Sequence, residues 1–560
     1  MNKVFFLAAA VLILTKSYML DLQSHLVYSV LVSSLAMYFV FRGGKILWHP
    51  IYWVLGLFVL SFVPSFFTSQ HPFGFHELST FATGLLVFLL ALNWKNLNLD
   101  RMMKGFVALA VLFSIIGFGD LLLGPSERLA GAFLGDFTYS IYPNAMASLL
   151  LFSLPINYYI SRSNKWWSLA LFINLTAFWL TASRAALLVF LMTALFAFAI
   201  YYWRNFNLKR SWKPVGILFL SVLATFLVNQ LNPQQIDLQE RIVFEDVPSQ
   251  SSVEERLDFW AGAVEMGVDN LWLGVGPGGF QHFYPEYQND LLALSDHPHN
   301  VFLKLFAESG SFAALFFLGF IAFAFGRAFF TLNSEGKTIL FLAVLALFGH
   351  NLIDYHLNFT LIGALFFAGL GILLNGLPKK NVKGSNHFFA TVGLALFVVS
   401  VLHGYVMWNS ISNAPFKTAG ETFHPEVFEN LSEDYIDGDL DVAAVEDLLA
   451  MDQYNSGKYY LLDLLVGDGA DEASIWANEF TELLSVNAHQ AVVSENPEAV
   501  QRIYEYLGED VKDEYNKFLE VWELEMQKFN ERYGTNLTTE TYDETYDGYF
   551  GGNTQSGQTE

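Results

Sequence analysis

The sequence predicts an all-α polytopic membrane protein. About 12–13 transmembrane helices are expected, with a large extracytoplasmic loop and a small helical extracytoplasmic domain at the C-terminal end. Three observations predict this. First, 53% of the residues are hydrophobic, 17% are aromatic and only 15% are charged, where a soluble chain carries about 25% charged residues. Second, the apolar residues, with Phe alone at 55, come in long blocks separated by short polar loops, a pattern a water-soluble core does not need. Third, the net charge of −24 is not spread along the chain. From Asn409 onward there are 33 acidic and 7 basic residues, so the preceding 408 residues are close to neutral. One chain therefore joins two regions suited to different solvents.

The apolar blocks place spans at 4–20, 25–41, 46–67, 78–94, 102–123, 143–160, 166–182, 185–203, 214–231, 300–326, 338–354, 359–377 and 386–408. Residues Met1 to Leu14 resemble a signal peptide, but no small-residue cleavage site follows, so they are read as part of the first span. Basic residues set the orientation. With Lys3 cytoplasmic, the inside loops carry Arg42 and Lys45, Lys95 and Arg101, Arg162 and Lys165, the cluster Arg204 to Lys213, Arg327 and Lys337, and finally Lys379, Lys380 and Lys383. The outside loops carry Lys16, Arg128, Arg184, Arg241 and Arg256. Every inside loop keeps the bias, which supports the count, since one missed span would invert all later loops.

Residues 1–408 thus form the transmembrane domain, with an outer loop at 231–298, and 409–532 form an acidic helical extracytoplasmic domain. Val442–Met451 and Ala499–Arg532 show helical spacing. Residues 533–560, rich in Thr, Tyr, Gly, Asn and Gln, are expected to be disordered. Within the outer loop, Ser252–Val268 is expected to form an amphipathic helix with Val253, Leu257, Trp260, Ala261 and Val264 on its apolar face. Gly274–Gly279 follows as a loop, since no helix tolerates four Gly and a Pro together. It lacks the Lys-Ser/Thr of a phosphate-binding loop, and it is expected to bring backbone close to a substrate or to turn the chain back to the membrane. There is no Cys, which excludes disulfides and thiolate metal ligands.

Few polar residues are placed to do chemistry. Arg184 lies in Thr181-Ala-Ser-Arg184, in a tight turn between two apolar runs, where a cation is costly unless it pairs. Arg256 sits among acidic neighbours in Glu254-Glu-Arg-Leu-Asp258, so a solvated ion pair is its simplest role. His299 stands at the mouth of a span in Asp296-His-Pro-His-Asn300 and titrates near neutrality, which suits a proton acceptor. His297 is its rival. The H-x-H spacing is weak evidence for zinc, and no metal site is expected. Lys304 and Glu308 share an apolar run, where an i,i+4 ion pair is the simplest reading. Asp354 with His350 either orients a neighbour or forms a polar helix end.

Together these residues resemble a known family. Glu255-Arg-Leu-Asp-Phe-Trp260, Leu273-Gly-Val-Gly-Pro-Gly-Gly-Phe280, His299-Asn300 and Glu308-Ser-Gly310 are similar to the O-antigen ligase and polymerase superfamily. Its His-Asn, nine residues, Gly signature is met by His299, Asn300 and Gly310. Ala313 stands where Gly, Thr or Tyr is usual, a departure that bears on true ligases more than on the superfamily. Thr181–Arg184 resembles the family's Ser-Arg hairpin, and Arg128-Leu-Ala-Gly131 with Pro143-Asn144 resembles its earlier outer loop.

The resemblance implies a helical bundle of the GT-C-like kind in a bacterial cytoplasmic (inner) membrane, with the N-terminus cytoplasmic. It implies transfer of a glycan from a polyprenyl (undecaprenyl) diphosphate carrier to an acceptor hydroxyl on the outer side, without metal, nucleotide or other cofactor. By motif position His299 is the base and Arg184 and Arg256 hold the diphosphate. Arg128, Asn300, Glu308, Asp354 and His297 are supporting candidates. The partners implied are the lipid-linked glycan donor, a glycan, lipid or protein acceptor and membrane lipids, with no nucleic acid. A repeat-unit polymerase and a protein O-oligosaccharyltransferase share the same residues. A transporter or flippase of a lipid-linked or anionic solute predicts internal repeats and polar residues at mid-bilayer, and neither is evident here.

Overall fold

A computed structural model describes residues 22–41, 46–67, 74–94, 98–123, 128–130, 143–203, 213–232, 254–288, 297–377 and 497–533. It also describes isolated positions from 293 to 295, short pieces between 380 and 401 and between 462 and 492, and residues 536 and 538. The expected first span, the helix at 442–451 and most of the tail lie outside the described residues. Among the described residues the protein is helical, with no strand and one isolated bridge, Trp48 to Lys380. The chain forms two compact units, and the division cuts three helices.

The first unit comprises Met1–Phe58, Ser79–Asp246 and Phe316–Val401. It contains α1 (Leu22–Phe41), the first half of α2 (Ile51–Phe66), most of α3 (Gly74–Asn93), α4 (Leu99–Leu123), α5 (Pro143–Ser161), α6 (Lys165–Leu180), α7 (Arg184–Trp203) and α8 (Lys213–Leu231). The second half of α11 (Val301–Phe330), α12 (Glu335–His350) and α13 (Thr360–Leu374) complete it. Each helix covers one apolar block of the sequence to within a few residues. Leu99–Leu123, Arg184–Tyr202 and Val301–Phe330 are long and apolar enough to cross a membrane.

Helix ends follow local chemistry. Asn164 accepts from the amide of Trp166 at 3.1 Å and opens α6, and Ser334 opens α12. The interior is packed by rings: Phe58 meets Phe317 at 5.3 Å, and Phe88 meets Phe320 edge-on at 5.4 Å. Gly84 and Gly371 admit close helix approach, since a Cβ on Gly84 would lie 2.5 Å from the Phe367 ring and one on Gly371 2.6 Å from the Phe88 carbonyl.

The second unit comprises Val59–Leu78, Val247–Leu315 and Leu402–Glu560. It holds α9 (Glu254–Asp269), α10 (Phe280–Tyr287), the first half of α11, and the C-terminal pair α14 (Pro497–Leu507) and α15 (Lys512–Tyr533). The helix expected over 252–268 forms as α9, but its buried residues are not those of the expected apolar face. Phe259, Ala263 and Met266 are the buried residues, whereas Leu257, Ala261 and Val264 are exposed. Two glycines explain the difference. A Cβ on Gly262 would lie 2.7 Å from the Tyr284 ring, and one on Gly267 2.4 Å from the Phe306 ring. Rings press onto the smooth glycine face, and the branched aliphatic residues are left outside.

The C-terminal segment expected to be helical over 499–532 is two helices, because Gly508 takes φ +71° and opens a short 3-10 turn. Its residues Val500, Ile503, Phe518, Trp522 and Met526 are buried, and Tyr504 stacks on Tyr515 at 3.8 Å. Arg502 grips Asp463 with two bonds of 2.9 and 2.8 Å.

Candidate functional site

In the first unit, α6 ends at Leu180 and α7 begins at Arg184, so three residues must reverse the chain. Thr181 bonds back to the last turn, its hydroxyl donating to the Phe178 carbonyl at 2.7 Å. Ala182 then takes φ +47°, a left-handed conformation costly for a residue with a Cβ. The Ser183 hydroxyl accepts from the Ala186 amide at 3.4 Å and caps α7. The Ser-Arg pair is thus a helix cap followed by the first helical residue. Arg184 is half-buried there.

Arg128 locks this turn from outside. Its Nε donates to the Thr181 carbonyl at 2.8 Å, and the Leu129 amide donates to the Leu180 carbonyl at 2.9 Å. Gly117 lets the segment in, as a Cβ would lie 2.3 Å from the Ala130 carbonyl. The same guanidinium reaches Asn144 Oδ1 through Nη2 at 3.0 Å, and Asn144 Nδ2 donates to Asp354 Oδ2 at 3.2 Å. Asp354 Oδ1 lies 3.5 Å from His356 Nε2. The Ser148 hydroxyl meets His350 Nδ1 at 2.6 Å and His356 Nδ1 at 2.7 Å. Of the residues singled out from sequence, this cluster unites Arg128, Asp354 and His350. Asn144, Ser148 and His356 carried no assigned role. The local H-x3-D-x-H spacing signalled His356, whereas Ser148 sits 202 residues from its imidazole partner and carried no signal.

In the second unit, Asn300 accepts from the amides of Phe302 and Leu303 at 2.9 and 3.1 Å and caps α11. His299 immediately precedes the cap, at φ +50°. Its ring stacks on Phe259 at 5.4 Å and 21°. Arg256 lies one helical turn before Phe259 on α9. His297 instead turns its backbone to the Ser295 hydroxyl, which donates to the His297 carbonyl at 2.7 Å. Arg184 belongs to the first unit.

The expected span at 300–326 is broken. Gly310 takes φ 77° and ψ 176°, which interrupts α11. Ahead of the break, the carbonyls of Ala307 and Glu308 accept from the amides of Val275 and Gly276 at 3.0 and 2.9 Å, and Ser311 donates to the Leu271 carbonyl at 2.9 Å. The glycine loop therefore docks backbone-to-backbone on α11. A Cβ on Gly274 would lie 2.2 Å from the Glu308 carbonyl carbon, and one on Gly310 2.3 Å from the Trp272 carbonyl oxygen. The Ser65 hydroxyl clamps both strands of chain, reaching the carbonyls of Leu273 at 2.6 Å and Glu308 at 3.0 Å.

Lys304 does not rely on Glu308 alone. Its Nζ lies 2.6 Å from Glu77 Oε1 and 3.5 Å from Glu308 Oε2, all three side chains being buried. The i,i+4 pair expected from sequence is the longer of two contacts, because Glu308 also faces the start of α10, where Oε1 accepts from the Phe280 amide at 3.4 Å. Glu77, 227 residues from Lys304, gave no sign of this role.

Residues 169–318 match the family model described as O-antigen ligase. That match supports the O-antigen ligase superfamily for this chain. The matched stretch of this ligase-like chain holds Arg184, Arg256, the glycine loop, His299 and Gly310, while Arg128 and the His350–His356 turn fall outside it. The chain is also 22% identical over 379 residues to the ComP-specific O-oligosaccharyltransferase of Acinetobacter baylyi (strain ATCC 33305 / BD413 / ADP1), covering 63% of this chain and 66%, just under two thirds, of the relative. The superfamily is a class of bacterial inner-membrane proteins, in keeping with the apolar helices described.

Proposed function

We propose that the protein is a membrane glycosyltransferase of the O-antigen ligase type, which transfers a glycan from a polyprenyl diphosphate carrier to an acceptor hydroxyl on the outer side of the cytoplasmic membrane. One observation carries the reading furthest. Among the described residues, two non-glycine residues hold positive φ, and they are Ala182, in the Ser-Arg turn, and His299, in the His-Asn motif. Such strain costs about 1–3 kcal/mol and persists where the surrounding structure over-determines it, most often at functional sites.

In this reading the acceptor oxygen attacks the anomeric carbon, and its proton passes to the His299 imidazole. The bond from that carbon to the carrier diphosphate breaks, and the electron pair leaves with the diphosphate. Arg184 and Arg256 receive the growing charge, since a guanidinium stays protonated and matches phosphate oxygens with two parallel bonds. Asn300 holds the backbone that presents the base. Thirteen spans, an outward 231–298 loop and an outward acidic domain at 409–532 belong to the same proposal.

The test is transfer by the purified protein from a polyprenyl-diphosphate glycan. His299→Asn is the sharpest variant, because Asn tolerates the left-handed backbone while lacking the base. Transfer should fall by about 10²–10⁴-fold with insertion and yield unchanged. Undiminished transfer by this variant removes His299 as the base. The name of the Acinetobacter baylyi relative motivates a second reading, in which the acceptor is a protein and the chain acts as a protein O-oligosaccharyltransferase. Masses of exported proteins and surface glycans, with and without the gene, separate that acceptor from a lipid or a growing polymer.

A further inference from the structure

We infer that His350, Asp354 and His356 of the first unit form a binding site for one divalent transition-metal ion, with zinc the ion that best suits two imidazoles and a carboxylate. The inference does not depend on the proposed transfer reaction, and the ion is not a reactant in it. All three side chains are fully buried, and one ligand atom from each lies within 4.8 Å of the others. A tetrahedral zinc with bonds of about 2.0–2.2 Å holds its ligand atoms about 3.3–3.6 Å apart. Side-chain movements of about 1 Å therefore close the set on that geometry. The 3.5 Å from His356 Nε2 to Asp354 Oδ1 already equals a spacing of adjacent ligands.

The surroundings have the form of a metal's outer shell. A ligating imidazole donates its other N–H to a fixed acceptor, which sets the tautomer and aims the lone pair. Ser148 Oγ lies 2.6 and 2.7 Å from the two Nδ1 atoms and has two lone pairs to accept from both. Where it accepts from both, the rings are Nδ1–H tautomers that would ligate through Nε2, the atom of His356 that faces Asp354 Oδ1. Asn144 Nδ2 donates to Asp354 Oδ2 and leaves Oδ1 toward His356. A cation there also offsets the buried carboxylate. The place in the fold agrees. His350 is the last residue of α12, and Asp354 and His356 follow in the turn that enters α13, so the ion sits at a helix C-terminus, the end that favours positive charge. It would fasten α12, the turn and α5 at one point. Arg128 carries that rigidity to the Thr181 carbonyl.

The experiment measures metal content of the detergent-purified full chain by elemental analysis, and thermal midpoint with zinc or with chelator. About one ion per chain, with a midpoint lowered by chelator and restored by zinc, is expected. Asp354→Asn and His356→Gln should lose the ion. Ser148→Ala removes an orienting partner only and should weaken zinc binding by about 10–100-fold, so it remains informative if the ligand variants fail to fold. His297→Ala should keep the full metal content, which separates this site from the other His pair. A wild-type chain without stoichiometric metal and without a zinc-dependent midpoint overturns the inference. So does an ion retained by both ligand variants, or an ion lost by His297→Ala.

Discussion

The two polar clusters join their charges in different ways. In the first unit the charges of Arg128 and Asp354 are joined through the neutral amide of Asn144, and Arg128 steadies the turn that carries Arg184 through one backbone carbonyl. In the second unit Lys304, Glu77 and Glu308 form an ion triad beside a broken helix, and backbone pairing with the glycine loop does most of the joining. Where a neutral amide relays between the charges, shortening one partner costs about 1–3 kcal/mol. An ion triad in an apolar bundle is less forgiving, because each remaining charge stays buried. Cheap adjustment thus surrounds the Ser-Arg turn, while the chain beneath His299 is held by features that tolerate little change.

The largest effect is expected at Gly310, where Gly310→Ala adds a Cβ 2.3 Å from the Trp272 carbonyl oxygen at φ +77°. The glycine loop must leave α11 for it to fit. A loss above about 4 kcal/mol, seen as little folded protein in detergent, is expected. Near-normal yield would show that the loop docks loosely.

Lys304→Met comes next. It leaves Glu77 and Glu308 facing one another in an apolar setting, with an expected loss of about 3–5 kcal/mol. Glu77→Gln keeps one ion pair and should cost clearly less. If the two variants melt together, the triad is no tighter than an ordinary polar contact and the contrast fails.

Arg128→Lys keeps the charge but cannot span the Thr181 carbonyl and Asn144 together. A loss of about 1–3 kcal/mol is expected, with transfer reduced beyond what the lower thermal midpoint explains if Arg184 depends on that turn. The smallest change is Arg162→Ala. It breaks a 2.7 Å pair with Glu335 whose side chains are 27% and 34% exposed, and less than about 1 kcal/mol should follow.

Much of this could be read from residue order. The helix ranges follow the apolar blocks, because removing backbone polar groups from water demands a helix and apolar side chains mark where. Gly310 and His299-Asn300 stood out through the family signature they resemble, and the structure shows a helix cap at Asn300 and a break at Gly310, each written locally. Which residues α9 buries was not legible, because hydrophobicity alone weighs Leu257 and Val264 above Gly262 and Gly267, while close ring packing rewards the glycines.

By itself the sequence determined an apolar helical chain, an acidic C-terminal region and the motifs of the ligase superfamily, since these depend on composition and near neighbours. Tertiary structure alone decided that Lys304 meets Glu77, that Ser148 stands between two imidazoles, and that Arg128 closes the turn before Arg184. Those partners lie between 53 and 227 residues apart. Only the close packing of helices, which leaves each buried polar group few partners, selects among the many pairings the chain would otherwise allow.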